Sequence, residues 1–235
     1  MSFSLNQIVP WGRSFAEYVA MFALSGDDLG KRLLGCGDGP AAFNARLTSR
    51  GGRVLSVDPL YRFTADDIRR RIHQTYGDVM AQTRKNAHEF IWTTIASVEE
   101  LGRVRMAAME EFLCDYPRGK AQGRYVDGEL PHLPFAGGEF DIAVCSHLLF
   151  LYSKQLSEDF HVAAIQELCR VATEVRIFPL LELGAEESRH LNAVVRYLSE
   201  RAYDVALVPV AYEFQRGGNR MLVVRGRRPM QGNRM

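Results

Sequence analysis

The sequence predicts an α/β fold: a doubly wound, mostly parallel seven-stranded sheet with an antiparallel hairpin near one edge. Three observations carry that reading. Short apolar runs alternate with segments of helical periodicity, the pattern of parallel strands joined by crossover helices. The first apolar run ends in a glycine-rich turn, Gly35-Cys36-Gly37-Asp38-Gly39-Pro40. The last two strand-like runs are joined by Arg216-Gly217-Gly218-Asn219, a hairpin signature. With 235 residues and 47% hydrophobic content, the chain has enough apolar material for one full core.

In order along the chain, Ser14 to Leu24 has helical spacing, with Phe15, Tyr18, Val19 and Phe22 on one face. Arg32-Leu33-Leu34 is a short strand that stops at Gly35. Ala41 to Leu47 reads as a helix closed by Gly51-Gly52, and Arg53 to Val57 as a second buried strand ended by Asp58-Pro59. Two strands around one helix form a βαβ unit. Residues 62–122 interrupt the rhythm as a helical insertion. Thr64-Ala65-Asp66-Asp67 and Ser97-Val98-Glu99-Glu100 resemble capping boxes. The first is followed by Ile68, Ile72 and Val79. The second is followed by Leu101, Val104, Arg105, Ala108 and Phe112. Two long helices result, with a short aromatic piece, Phe90-Ile91-Trp92, between them. The alternation then resumes: strands at Gly123 to Val126 and Glu139 to Ser146, a helix from Ser157 to Val171, a strand from Glu174 to Leu180 and a helix from Glu186 to Arg201. The closing strands are Val205 to Phe214 and Met221 to Arg225. The whole reads as a single domain, 1–235, with a flexible basic tail at 226–235.

Charge and cysteine usage exclude several functions. Lys and Arg number 29 against 28 Asp and Glu, a net charge of +1, which argues against nucleic acid as a partner. The insertion has ten basic and nine acidic residues between Arg62 and Lys120, so it is not a nucleic-acid arm. Four cysteines without a C-x-x-C spacing point to no metal site and no disulfide framework. No basic residue precedes Arg13, and the apolar stretch from Phe15 to Leu24 is short and broken by Glu17, so no membrane association is expected. A cytoplasmic protein is the reading.

The residues that point to chemistry lie at strand ends. Glycines at 35, 37 and 39 permit a tight turn and let a ligand approach the backbone. Asp58 follows nineteen positions after Gly39, where a carboxylate can accept both ribose hydroxyls of a nucleoside. A dinucleotide fingerprint would place its last glycine at residue 40, which is Pro40 here.

These segments resemble the class I S-adenosylmethionine-dependent methyltransferases of the small-molecule type. The matching stretches are Leu34-Gly35-Cys36-Gly37-Asp38-Gly39, Ser56-Val57-Asp58-Pro59, and Glu129-Leu130-Pro131-His132-Leu133-Pro134-Phe135 leading into Glu139-Phe140-Asp141-Ile142-Ala143-Val144. The resemblance implies the Rossmann-like methyltransferase fold, with S-adenosyl-L-methionine as cofactor and S-adenosyl-L-homocysteine as product. It implies that Gly35, Cys36, Gly37 and Gly39 pass under the methionine part and sugar, and that Asp58, with Pro59 beside it, holds the ribose. Glu129 would meet the adenine amino group, with Leu130 near the ring and Asp127 as the alternative acid. Cys145, Ser146 and His147 would line the floor beside the sulfonium. One departure stands out: the family usually has an acid two residues before the first glycine, where this chain has Leu33. Asp38 or Glu17 could substitute, or cofactor binding could be weakened or lost.

His147, just beyond a strand tip, is the candidate catalytic base, with Tyr61, His132 and Tyr152 as weaker candidates. The insertion leaves the sheet beside Asp58 and returns before Glu129, which suits either a lid over the pocket or a homodimerisation or packing element. Arg69-Arg70-Arg71 either reaches an anionic acceptor or forms a solvated helix face. After the fourth main strand the chain reads Cys145-Ser146-His147-Leu148. It lacks both the Asn/Asp-Pro-Pro-aromatic stretch of base or glutamine methylation and a Pro-Cys nucleophile. A small-molecule acceptor is therefore expected, and in-line methyl transfer to it is the expected activity. The alternatives are a non-catalytic binding protein on the same fold and an NAD(P)-dependent oxidoreductase. Pro40 and the missing Tyr-x-x-x-Lys pair count against the oxidoreductase.

Overall fold

The computed structural model describes residues 9–226. Apart from Gly226, the segment expected to form a flexible tail lies outside them.

Seven strands form one sheet. They are β1 (Arg32–Cys36), β2 (Arg53–Val57), β3 (Tyr125–Val126), β4 (Phe140–Ser146), β5 (Ala172–Phe178), β6 (Asp204–Pro209) and β7 (Arg220–Arg225). Their spatial order is β3-β2-β1-β4-β5-β7-β6. The pairings from β3 to β5 are parallel, while β7 runs antiparallel to both β5 and β6. This is the mostly parallel seven-stranded sheet with an edge hairpin that the sequence predicts. The order turns back at β1 and β4, since the chain first builds outward through β2 and β3 and then starts again on the other side. Ligands in such sheets bind where the order reverses, at the C-terminal ends of the strands.

The helices are α1 (Phe15–Met21), α2 (Gly26–Leu29), α3 (Phe43–Ser49), α4 (Ala65–Lys85), α5 (Val98–Ala121), α6 (Glu158–Val171) and α7 (Leu191–Glu200). Alternation along each strand divides the core into two layers. Leu34, Ala143, Val175 and Ile177 face α6 and α7 on one side. Leu33, Val54, Ile142 and Val144 face α1 and α3 on the other. A third cluster joins the insertion to the sheet edge, with Ile68 and Ile72 of α4 and Phe112 and Tyr116 of α5 packed around Tyr61 and Tyr125.

Several boundaries follow from side-chain chemistry. Thr64 and Asp67 form a reciprocal capping box at the start of α4. Ser97 caps α5 by accepting from the Glu100 amide, but the Glu100 carboxylate accepts from the Ala96 amide instead of completing the box. Two expectations are corrected. The helix expected from Glu186 begins at Leu191, because residues 181–189 form a loop tied by a Leu181–Glu187 bridge and a Glu182–Arg189 ion pair. The strand expected to reach Phe214 ends at Pro209. Beyond it the chain turns onto the insertion: the Ile91 amide donates to the Phe214 carbonyl and the Arg216 amide to the Glu89 carbonyl. The aromatic piece between the two long helices is thereby fastened to the β6–β7 connection, with the Phe90 and Phe214 rings stacked at 5.0 Å.

Candidate active site

The ends of β1, β2 and β4 open into a cavity of about 840 Å³. The turn after β1 forms one wall. Gly37 and Gly39 have φ of +66° and +52°, which only glycine adopts without strain. A Cβ on Gly37 would come within 2.6 Å of Leu148, whereas one on Gly39 would meet no atom within 4 Å. The turn therefore leaves bare backbone beside open space. Its shape is held by two hydrogen bonds: the Gly39 amide donates to Asp58 Oδ2 at 2.9 Å, and the Tyr61 hydroxyl donates to the Gly39 carbonyl at 2.8 Å.

Asp58 ends β2 and caps a single 3-10 turn, accepting from the Leu60 amide at 2.7 Å. Each carboxylate oxygen has thus accepted one backbone hydrogen bond and has a further lone pair available. Burial raises the Asp58 pKa above its ordinary value, although both backbone hydrogen bonds work against that rise. Across the cavity, Glu129 and Leu130 contribute to its lining. Asp127 does not. It faces Arg62 at 3.5 Å on the surface, so of these two acids Glu129 is the one at the cavity.

Of the residues singled out in the sequence, Cys36, Gly37, Gly39, Asp58, Pro59, Glu129, Leu130, Ser146 and His147 line this one cavity. Two do not. Gly35 lies one step back in β1, and a Cβ there would clash with the Asp38 carboxylate at 1.8 Å. Cys145 points into the core shared with α6 and α7, because alternation along β4 turns it away. Among the weaker candidates for a base, Tyr152 lines the cavity, His132 is exposed outside it, and Tyr61 is fully buried beneath the glycine turn. Tyr61 has a structural task there.

The missing acid has a local explanation. Leu33 is 1% exposed and packs against Phe22 and Phe43, so no carboxylate could sit there without polar partners. Asp38 instead folds back beneath Gly35, where it accepts from the Tyr18 hydroxyl at 2.8 Å and the Ser56 hydroxyl at 2.7 Å. Burial pushes its pKa up to about 7, the two hydroxyls working against the rise and the Asp58 charge adding to it. Glu17, the other proposed substitute, is engaged elsewhere. It completes the N-cap of α1 with Ser14, and accepts from Arg105 at 2.6 Å and from the Tyr212 hydroxyl at 2.9 Å.

His147 follows β4 with φ of +55°, a conformation rare for a residue with a side chain. Its amide donates to the Phe178 carbonyl at 2.7 Å, its ring meets the Phe178 ring edge-on, and its Nδ1 lies 2.8 Å from Ser146 Oγ. Burial, followed by the charges of Arg13 and Arg105, holds its pKa well below the usual histidine range. The ring is therefore neutral near pH 7, and the same burial and cationic neighbours oppose its protonation.

The insertion supplies the opposite wall. Ile68, Arg71, Gln74 and Val79 of α4 and Leu101 and Arg105 of α5 face the cavity. Arg70 also reaches its rim while pairing with Asp67, whereas Arg69 pairs with Asp66 on the surface. The sequence reading missed Arg13, Arg105 and Tyr212 as cavity residues. Arg105 had left a trace: a cation on the apolar stripe of α5, between Leu101 and Ala108.

Comparison with known proteins adds a relative and a set of fold likenesses. No family model matches the chain. The Uncharacterized protein MJ0045 of Methanocaldococcus jannaschii is 31% identical over 224 residues, covering 94% of this chain and 98% of its own. Among solved structures, magnesium protoporphyrin IX methyltransferase (ChlM) from Synechocystis with bound SAM covers 90% of this chain and 78% of its own, at 13% identity and a TM-score of 0.46. A TehB-like SAM-dependent methyltransferase from Corynebacterium glutamicum covers 95% of this chain and 90% of its own, at 15% and 0.48. The mitomycin 7-O-methyltransferase MmcR covers 90% of this chain and 53% of its own, at 12% and 0.49. These likenesses concern fold, and at such values they decide nothing about activity or acceptor. Among the described residues, no helix is long and apolar enough to cross a membrane.

Proposed function

The chain belongs to one family with the uncharacterized Methanocaldococcus protein, and from the geometry of its site we propose that it is an S-adenosylmethionine-dependent methyltransferase acting on a small-molecule acceptor. The observation that carries this reading is the convergence of three features on one cavity. A side-chain-free turn at Gly37 and Gly39, a carboxylate with spare lone pairs at Asp58, and an acid at Glu129 all sit at neighbouring strand ends. The open space above Gly39 suits a ligand that must lie directly on the backbone.

In this proposal the cofactor supplies an electrophilic methyl group on a sulfonium. Gly37 and Gly39 seat it, Asp58 accepts from the ribose hydroxyls, and Glu129 and the Leu130 amide meet the adenine. Ser146 and His147 form the floor where the acceptor approaches. The protein's contribution is alignment of the acceptor for in-line displacement and exclusion of water. His147, on this floor with its ring neutral, is the group placed to take a proton from the acceptor, an uptake that burial and the Arg13 and Arg105 charges oppose. The insertion acts as a lid. Its roots adjoin Asp58 and Glu129, and opening it would break the two backbone hydrogen bonds to residues 214 and 216.

The test is methyl transfer. Purified protein is incubated with methyl-labelled S-adenosylmethionine and a fractionated small-metabolite pool. Label appearing in a small molecule supports the proposal. Tight binding of S-adenosylhomocysteine without transfer to any fraction would make the chain a binding protein instead.

A further inference from the structure

The cavity holds a cationic cluster that the cofactor reading leaves unused. Arg105 is the largest fully buried side chain among the described residues, at 1% exposure. Its Nη1 donates to Glu17, but its Nε and Nη2 are buried and have no hydrogen-bond partner among the described residues. Those two atoms form one edge of the guanidinium, with parallel N–H bonds spaced to meet the two oxygens of a carboxylate. Arg13 Nε is also buried and without a partner.

Among the described residues no side chain completes this edge as an anion; the Tyr212 hydroxyl, which donates to Glu17, also faces the Arg105 guanidinium. Both Glu17 oxygens are engaged, by Arg105 and Ser14 on one side and by Tyr212 on the other. The Tyr212 hydroxyl gives its proton to Glu17. His147 is neutral and contributes no anion. Among the described residues the Arg105 and Arg13 guanidinium groups thus share the Glu17 carboxylate in a desolvated place. Unpaired buried charge is costly, and a ligand anion would relieve that cost.

The position of the cluster distinguishes acceptor from cofactor. The proposed cofactor residues lie at the ends of β1, β2 and β4. Arg105 lies toward the β6–β7 connection, with its guanidinium 6.0 Å from the Phe214 ring. Tyr212 packs on Phe178, the last residue of β5, which in turn meets the His147 ring. The surroundings are aromatic, with Trp11, Phe90 and Phe214 also lining the cavity.

We infer that the methyl acceptor carries a carboxylate on an apolar or aromatic body, and that Arg105 Nε and Nη2 bind this carboxylate as a fork, with Arg13 beside it. The inference rests on the methyltransferase reading for the word acceptor, but the anion site can be tested without it.

The experiment titrates the protein, saturated with S-adenosylhomocysteine, with benzoate and with its neutral counterpart benzamide, by calorimetry. The expected result is a benzoate Kd at least tenfold below that of benzamide. Arg105→Lys keeps a cation opposite Glu17 but loses the fork. It should reduce the preference to below threefold while S-adenosylhomocysteine affinity stays within twofold. Equal or absent binding of the two probes would overturn the inference. So would competition between benzoate and S-adenosylhomocysteine, which would assign the edge to the cofactor, or an unchanged preference in Arg105→Lys. Should that variant not fold, the wild-type comparison of the two probes decides. If S-adenosylhomocysteine does not bind at all, the same comparison on ligand-free protein still tests the anion site, and only the methyltransferase reading falls.

Discussion

Asp38 offers a quantitative test of how this chain manages without an acid at Leu33. Its carboxyl is buried beneath Gly35 and accepts only two hydroxyl hydrogen bonds. Burial moves its pKa from 3.8 to about 7. An acid raised on folding keeps its proton longer in the folded state than in the unfolded state. Stability is therefore full below the unfolded value, falls as pH rises toward the folded value, and levels off above it. Between pH 5 and pH 8 the wild-type chain should lose about 3 kcal/mol from this group, at about 1.4 kcal/mol for each pH unit below the folded pKa. Asp38→Asn keeps the shape and cannot ionise, so it should lack this slope. Urea unfolding of both proteins at pH 5, 6, 7 and 8 measures the difference. Asp38→Asn should gain steadily on the wild type up to pH 7 and no further. A difference that does not change with pH would refute the burial argument for Asp38.

Other expectations follow from the same geometry. Asp58→Ala should weaken S-adenosylhomocysteine binding at least tenfold, about 1.4 kcal/mol, and unchanged affinity in a folded variant would count against the ribose assignment. Gly39→Val places a β-branched side chain at φ +52° in the open space above the turn, so calorimetry should find cofactor binding lost in a protein that still unfolds cooperatively. His147→Gln should lower the methyl transfer rate by roughly a hundredfold or more while cofactor affinity holds, and an unaffected rate would remove His147 from the chemistry.

The sequence made the parallel layer and the cavity's cofactor wall legible because both follow local rules. Short apolar runs that stop at glycine or Asp-Pro mark strand ends, and strand ends in such a sheet converge on one edge. Glycines at 37 and 39 could be read for the same reason: a tight turn and close approach to backbone both demand them. What stayed hidden depends on contacts distant in sequence. Tyr61 looks like any loop tyrosine until the fold places it under Gly39. The start of α7 was misplaced because the Leu181–Glu187 bridge outweighs helical periodicity across 186–190. Arg105 meets Glu17 across 88 positions. On the helical pattern alone it is one polar residue among apolar ones, and only the fold reveals a second guanidinium, Arg13, sharing the same Glu17 carboxylate.

Titration of the purified chain with S-adenosylhomocysteine and, separately, with NAD puts the adenosyl-binding claim at direct risk. Calorimetry should show saturable one-to-one binding of S-adenosylhomocysteine and none of NAD at the same concentrations. Binding of NAD alone, or of neither nucleotide, would contradict the assignment of the Gly37, Gly39 and Asp58 wall.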